Sequence, residues 1–208
     1  MKKSFTIIIL SILILFSCNK KEKNIASNIN IDSKIKENTI FRKLNDSLEF
    51  NFNKRDSIGA KRSSNINFEI TINDTITRVT ELKAKSSFLN TYYFGKENEQ
   101  IQTKKSDTLV VYIDNSDGYS SEGIKILVNK DNYDIKYFMT SDVILTNRQI
   151  ELTKINSSKL ILDKKNYNVN DSIFGYLEAN LTYQNIFSFP QHIKTKGYFR
   201  TKIKENNY

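Results

Sequence analysis

Hydrophobic and polar residues alternate along most of the chain from residue 66 onward. In residues 66–72, isoleucine and phenylalanine occupy every second position, with polar side chains between them. A period of two is typical of a strand with one buried and one solvated face. The same alternation is clearest in residues 173–183 and 197–203. Further strands are predicted at residues 76–82, 88–94, 109–113, 124–128, 135–139, 143–145, 150–152 and 160–162.

Polar clusters separate these strands, and no long helical pattern interrupts them. Turns are predicted at residues 73–74, 114–118 and 130–132. Pro190 fits a loop between the last two strands because proline cannot donate a ladder hydrogen bond, and Gly175 indicates a bulge or a close crossing. We therefore predict an all-β domain over residues 61–208, either an antiparallel β-sandwich or an open barrel. The uneven strand lengths favour the sandwich.

The residues before this domain are more polar. Residues 19–36 contain only isolated isoleucines, and such a segment cannot bury enough apolar area to offset the entropy of ordering. We expect a flexible spacer there. Residues 38–52 favour a short helix that runs into a strand or coil, and residues 53–64 are predicted to form a loop. Residues 18–60 are thus expected to be a tether.

The first eighteen residues have the three parts of a secretory signal. Two lysines supply positive charge, residues 5–16 are almost wholly apolar, and the small residue Ser17 precedes Cys18. The apolar stretch of 12 residues is shorter than the roughly 20 that a membrane-spanning helix needs. We therefore expect residues 1–17 to be removed on export.

The end of this segment, Leu15-Phe16-Ser17-Cys18, resembles a lipobox, the cleavage site of bacterial lipoproteins, although Phe16 is bulkier than the residue many members have there. The resemblance implies cleavage between Ser17 and Cys18, and a lipid on the Cys18 thiol. Two or more acyl chains give stable anchoring to a membrane. Cys18 is the only cysteine, which argues against an ordinary signal peptide because the exported body would carry one unpaired thiol. An uncleaved N-terminal anchor is the remaining alternative.

This reading places the protein in the cell envelope, and we expect it on the periplasmic side of the outer membrane. The formal net charge of +9 falls to +7 when Lys2 and Lys3 are removed with the signal. A basic chain suggests nucleic acid or anionic membrane as a partner. The lysines are scattered, however, and export leads us to expect no nucleic-acid partner. Attraction to anionic lipid or glycan stays open.

Few residues suggest catalysis or cofactor binding. His192 is the only histidine, and its sequence neighbours include no orienting carboxylate, so a histidine-activated nucleophile is not indicated. One histidine and a lipidated cysteine cannot build a zinc site. Residues 114–118 resemble a calcium loop only in part, because the twelfth position is Lys125 instead of a glutamate. We therefore predict no metal, no cofactor and no enzymatic activity.

A short motif, Asp-Ser/Thr-Ile/Leu, recurs along the chain. It resembles an O-glycosylation sequon of one group of Gram-negative bacteria, in which the central hydroxyl of exported proteins is modified. The acceptors implied by this resemblance are Ser47, Ser57, Thr75, Thr108 and Ser172. Asp and Ser/Thr also favour turns and β-branched residues favour strands, so the same triplet is typical of a strand start. Both interpretations stay open.

Three functional classes fit this organisation. The first is a lipid-anchored binding or structural module that contacts an envelope protein or glycan, and the tyrosine-rich residues 91–94 and 133–138 would supply either a contact patch or strand core. The second is a carrier of a lipid or small apolar ligand in a β-barrel, which requires a cavity. The third is a hydrolase that uses two carboxylates, although no pair stands out. We favour the first.

Overall fold

The computed structural model describes residues 27–46, 50–55, 61–79, 81–93, 102–116, 119–141, 151–185 and 189–205. The strands are β1 (Ser27–Asn28), β2 (Asn30–Ile31), β3 (Phe50–Arg55), β4 (Lys61–Ser63), β5 (Ile66–Ile72), β6 (Ile76–Arg78), β7 (Lys83–Tyr93), β8 (Gln102–Ser116), β9 (Ser120–Asn129), β10 (Asn132–Ser141), β11 (Glu151–Leu162), β12 (Ser172–Asn185) and β13 (Gln191–Lys204). Two short 3₁₀ helices, Ile35–Glu37 and Thr39–Arg42, follow β2. Within the described ranges, no helix is both long and apolar enough to cross a bilayer.

Eleven of these strands form one nearly closed, barrel-like sheet. One half is the antiparallel meander β7-β8-β9-β10, and the other half has the order β11-β12-β13-β5-β6. The halves meet where residues 203–204 of β13 pair in parallel with residues 86–87 of β7. The predicted all-β class is confirmed, and of the two predicted arrangements the strands form the barrel-like one instead of the favoured sandwich. The sheet is mixed instead of purely antiparallel, because this pairing and that of β2 with β11 are parallel.

The two remaining edges, β10 and β11, are joined by the first residues that the structure describes. Residues 27–28 pair with β10, and residues 30–31 pair with β11. Side chains meet at the same seam, where Ser158 Oγ lies 2.9 Å from Tyr133 Oη and 3.3 Å from Ser27 Oγ. The N-terminal segment therefore completes the wall of the barrel.

The inward positions of the alternating strands fill the interior. In β5 the four apolar residues are buried while Asn67 and Glu69 are exposed, as the alternation predicts. Tyr133 and Tyr137 are also buried, and the ring of Tyr137 meets that of Tyr183 edge to face with 4.8 Å between centroids. Full burial of a large side chain contributes about 1.5–3 kcal/mol. The two tyrosines of residues 133–138 therefore belong to the strand core.

The turns predicted at residues 73–74 and 130–132 are confirmed. Asn73, Asp74 and Lys130 have positive φ angles of 52°, 59° and 55°, the left-handed conformation that tight turns require. The strand expected at residues 76–82 is shorter, since β6 ends at Arg78. The turn expected at residues 114–118 begins later, because residues 114–116 still belong to β8 and pair with β9. Residues 117–118 and the strand expected at residues 143–145 lie outside the described residues.

The structure differs from the sequence-based expectation in the N-terminal region. The polar composition predicts a flexible spacer that includes residues 27–36, but this stretch pairs with the sheet and enters the first 3₁₀ helix. A loop is predicted at residues 53–64, but residues 53–55 belong to β3 and residues 61–63 to β4, and these two strands pair antiparallel. The helix expected after residue 38 is present in 3₁₀ form, with Asn38 Oδ1 accepting from the Ile40 amide at 3.0 Å. These pairings use main-chain groups, which every residue carries and no hydrophobic pattern reveals.

Candidate functional site: a groove lined by tyrosines

Outward side chains of three neighbouring strands form a groove on one face of the barrel. Two cross-strand rows run over β5, β13 and β12 in that order, and they consist of Asn67–Tyr198–Tyr176 and Glu69–Lys196–Glu178. The groove encloses about 290 Å³. We call it the tyrosine groove and define it by the lining residues Arg62, Asn67, Glu69, Tyr176, Lys196 and Tyr198. All members of the two rows are outward because the alternate positions of each strand are buried in the barrel.

Tyr176 and Tyr198 stand side by side on paired strands. Their ring centroids are 4.8 Å apart and the rings are tilted by 52°. Tyr176 Oη donates to Glu178 Oε2 at 2.8 Å, and Tyr198 Oη accepts from Asn38 Nδ2 at 3.2 Å. Burial raises the pKa of Tyr176 to about 12, and the hydrogen bond to Glu178 adds to the effect. Tyr176 is therefore neutral at ordinary pH, and both half-buried rings are held by their hydroxyl groups.

The N-terminal segment supports this pair of rings. Phe41 is buried and contacts Tyr198 and Phe174 edge to face, with centroid distances of 5.7 and 5.3 Å. Ile35 and Leu44 complete a small apolar cluster on the outside of the barrel. Edge-to-face pairs add about 0.5–1.5 kcal/mol beyond the area they bury. The segment between β2 and β3 therefore forms part of the wall behind the groove.

Arg200 fastens the end of this segment to β13. Its Nε donates to Asp46 Oδ1 at 2.9 Å, and its Nη1 donates to the carbonyl of Leu44 at 3.0 Å. Ser172 Oγ donates to the other oxygen of Asp46 at 2.8 Å, and the guanidinium lies 4.9 Å from the ring centroid of Phe174. Charge-assisted hydrogen bonds of this kind are stronger than neutral ones. They hold the segment against β12 and β13.

Arg62 is the one residue of the groove with a buried polar atom that lacks a partner. Its Nε is buried and donates no hydrogen bond. A buried donor without an acceptor costs free energy of about 1–3 kcal/mol. One hydrogen-bond donor in the wall of the groove is therefore left unsatisfied by the described protein groups.

The residues predicted for anchoring and modification are not part of the groove. Cys18 and Ser17, together with Ser47 and Ser57, lie outside the described residues. The lipidation, the signal cleavage and two of the five glycosylation acceptors therefore stay predictions.

The other three predicted acceptors lie in different surroundings. Thr75 is exposed in the turn between β5 and β6, and its Oγ1 donates to the Ile72 carbonyl at 3.3 Å. Thr108 is half-buried on β8 and accepts from Asn129 Nδ2 at 3.1 Å. Ser172 is half-buried and engaged with Asp46. Thr75 is the most accessible of the three. Thr75 and Ser172 lie at or next to a strand start, as the structural interpretation of the triplet predicts, whereas Thr108 lies in the middle of β8 because that strand begins at Gln102.

The residues that the sequence offered as candidates for catalysis or metal binding also lie outside the groove. His192 is exposed near the start of β13, where its backbone amide donates to Asn73 Oδ1 at 2.9 Å. Asp114 lies near the end of β8, and its largely buried carboxylate is 3.4 Å from the ammonium of Lys85. Among the described residues, no group of His, Cys, Asp and Glu could hold a metal ion.

A second depression lies at the end of the barrel next to the turn between β9 and β10. It encloses about 280 Å³, and Phe88, Leu109 and Val128 form its apolar part. Lys130 and Lys165 stand at its rim. Lys165 is paired there with Asp131, so one of the two cations at the rim is already neutralised.

Sequence reasoning missed the tyrosine groove. It gave neither Tyr176 nor Arg200 a role. The available signal was aromatic residues at outward positions, Phe174, Tyr176 and Tyr198, where a solvated face would carry polar side chains. Protein-family models, curated proteins and solved structures were each compared with this chain, and none of them matches it.

Proposed function

We propose that the protein is a bacterial lipoprotein anchored to a membrane through Cys18, with a β domain that acts as a binding module in the cell envelope. The anchor rests on the lipobox-like residues 15–18. The binding role rests on the tyrosine groove, since tyrosine combines a large apolar ring with a polar tip and is enriched at recognition surfaces. The tyrosine groove is the single observation that carries this role.

The short connection between anchor and domain limits where a partner can be. Eight residues separate Cys18 from Ser27, so they span at most roughly 30 Å even when fully extended. A lipid on Cys18 would hold the groove close to the membrane, which we propose to be the periplasmic side of the outer membrane. The partner is then an envelope protein or glycan.

The anchor is tested by the intact mass of the protein extracted from its own cell membranes. We expect a chain that begins at Cys18 and carries two or three acyl groups. The unmodified mass of residues 1–208 would refute the anchor.

The binding role is tested by photo-crosslinking in the same cells. A photoreactive residue at Lys196 lies in the groove, and one at Lys136 is a matched exposed position on β10, on the other half of the barrel. We expect crosslinks to a discrete partner from position 196 and not from position 136. Equal labelling from both positions, or none from position 196, contradicts the proposal.

The depression at the barrel end favours one alternative, a carrier of a lipid or small apolar ligand. Its apolar part could accept a short acyl segment, although the remainder of the described interior is filled by side chains. Native mass spectrometry of the protein from its own membranes tests this function. A stoichiometric lipid bound without covalent attachment supports the carrier, and its absence supports the binding module.

A further inference from the structure

We propose that the tyrosine groove binds a neutral saccharide, an inference that rests on the binding role above and names the class of ligand. A sugar ring has a face of polarised C–H bonds and an edge of hydroxyl groups that both donate and accept hydrogen bonds. A site that fits it needs aromatic rings, donors and acceptors within one shallow groove. The two cross-strand rows supply these three elements.

The first row, Asn67–Tyr198–Tyr176, supplies the aromatic platform. Aromatic faces carry partial negative charge, which attracts the polarised C–H bonds of a sugar. The hydroxyls of Tyr176 and Tyr198 are already bonded to Glu178 and Asn38, so little side-chain entropy is lost when a ligand arrives. Asn67 at the end of the row adds an exposed amide that can both donate and accept.

The second row, Glu69–Lys196–Glu178, presents an acceptor, a donor and an acceptor side by side. All three residues are exposed, and adjacent strands lie about 4.8 Å apart. The three polar groups can therefore form hydrogen bonds with neighbouring hydroxyls of one or two sugar rings. A purely apolar ligand would cover the side chains of Glu69 and Lys196 without offering either of them a hydrogen bond.

Arg62 and the charge balance decide between a neutral and a charged saccharide. The buried Nε of Arg62 has no acceptor among the described residues, and a small rotation of the side chain towards the groove would let a sugar hydroxyl or an acetamido carbonyl supply one. In the second row, Lys196 lies between Glu69 and Glu178 on the neighbouring strands. An acidic saccharide bound along these three residues would meet two like charges and one opposite charge, so it would gain no electrostatic attraction there over a neutral one.

The test is binding of the full-length protein, purified from its membranes in detergent, to immobilised oligosaccharides. The probes are oligomers of N-acetylglucosamine and of neutral hexoses, with uronic acid oligomers as the acidic comparison. We expect binding to a neutral probe. Tyr198→Ala and Arg62→Gln should each weaken it about tenfold, the equivalent of one good contact.

The controls separate binding from folding. Tyr112→Ala removes a matched outward tyrosine that packs on Phe138 on the other half of the barrel, and it should leave saccharide binding unchanged. Tyr198→Phe keeps the ring that contacts Phe41, so it should retain most of the binding. Glu69→Gln removes a charge at an exposed position and should weaken binding several-fold in a folded protein.

The outcomes distinguish this inference from the proposed function. Binding to the acidic probe alone, or binding that Arg62→Gln and Glu69→Gln leave unchanged, overturns the neutral-saccharide inference. If position 196 crosslinks a protein and no saccharide binds, the proposed binding module is supported and the neutral-saccharide inference is wrong. If crosslinking and saccharide binding both fail, both proposals are wrong.

Discussion

The ring of Phe199 on β13 lies directly over Gly175 on β12. The two residues are cross-strand partners, and a Cβ on Gly175 would stand 2.2 Å from Phe199 Cζ. Phe199 is fully buried, so its ring cannot swing away into solvent. The close crossing that a glycine within this strand indicates is therefore confirmed, and it arises because the ring takes the volume of the missing side chain.

We expect Gly175→Ala to destabilise the fold by about 1–3 kcal/mol, the usual cost of inserting a methyl group into a packed core. Urea unfolding measures the change. In the double variant with Phe199→Leu, the smaller partner should accommodate the methyl group and the two effects should not add. Strictly additive effects would mean that the two residues do not compete for the same space.

Arg200→Ala should loosen the N-terminal segment without unfolding the barrel. It removes the hydrogen bonds to Asp46 and Leu44, and charge-assisted bonds of this kind contribute about 1.5–3 kcal/mol. Hydrogen exchange should become faster at the amides of Phe41 and Lys43, which bond within this segment. Lys202→Ala changes the next outward position of β13 and serves as the control. An equal effect of both variants argues against the proposed role of Arg200.

The ionisation of Tyr176 tests the geometry of the groove. Its pKa is raised above the value of 10.0 for an unperturbed tyrosine to about 12. The neutral form therefore stabilises the fold fully below pH 10, and this contribution is lost as the pH rises through 12. Glu178→Gln should lower the pKa towards 10 but not reach it, because burial is the larger cause. An NMR titration of the tyrosine ring carbons measures both values, and an unchanged pKa in the variant speaks against the hydrogen bond.

Tyr133→Phe should weaken the seam of the barrel. The variant removes the hydroxyl that lies 2.9 Å from Ser158 Oγ, while the buried ring stays in the core. A hydrogen bond of this kind contributes about 0.5–1.5 kcal/mol, which thermal unfolding can detect. A variant as stable as the parent protein would show that the seam depends on backbone pairing alone.

If the recurring triplet is a glycosylation signal, Thr75 should be modified before Thr108 or Ser172. Its turn is exposed, whereas the other two hydroxyls are half-buried and bonded to Asn129 and Asp46. Peptide mass spectrometry of the protein from its own membranes should show a glycan at Thr75 that disappears in Thr75→Ala. A glycan on Ser172 with none on Thr75 would contradict this order of accessibility.

The alternation of residues predicted most strands, because the choice between the two faces of a strand is made by local hydrophobicity. It could not predict β1 and β2, since Ser27, Asn28 and Asn30 are polar and join the sheet through their backbones. The tyrosine groove could not be predicted from the sequence for a different reason. Asn67 and Tyr198 are far apart in sequence and become neighbours only through the pairing of β5 with β13, which no local pattern encodes.

The closure of the barrel by residues 27–31 has a mechanical consequence. If Cys18 is held in a bilayer and the groove binds an envelope partner, any force between the membrane and the partner is applied to the domain at Ser27. That load falls on two strands of two residues each, which are the shortest in the sheet. These short strands would then separate from β10 and β11 before the long strands around them separate from one another. A force applied through the anchor would therefore open the barrel at the seam between β10 and β11.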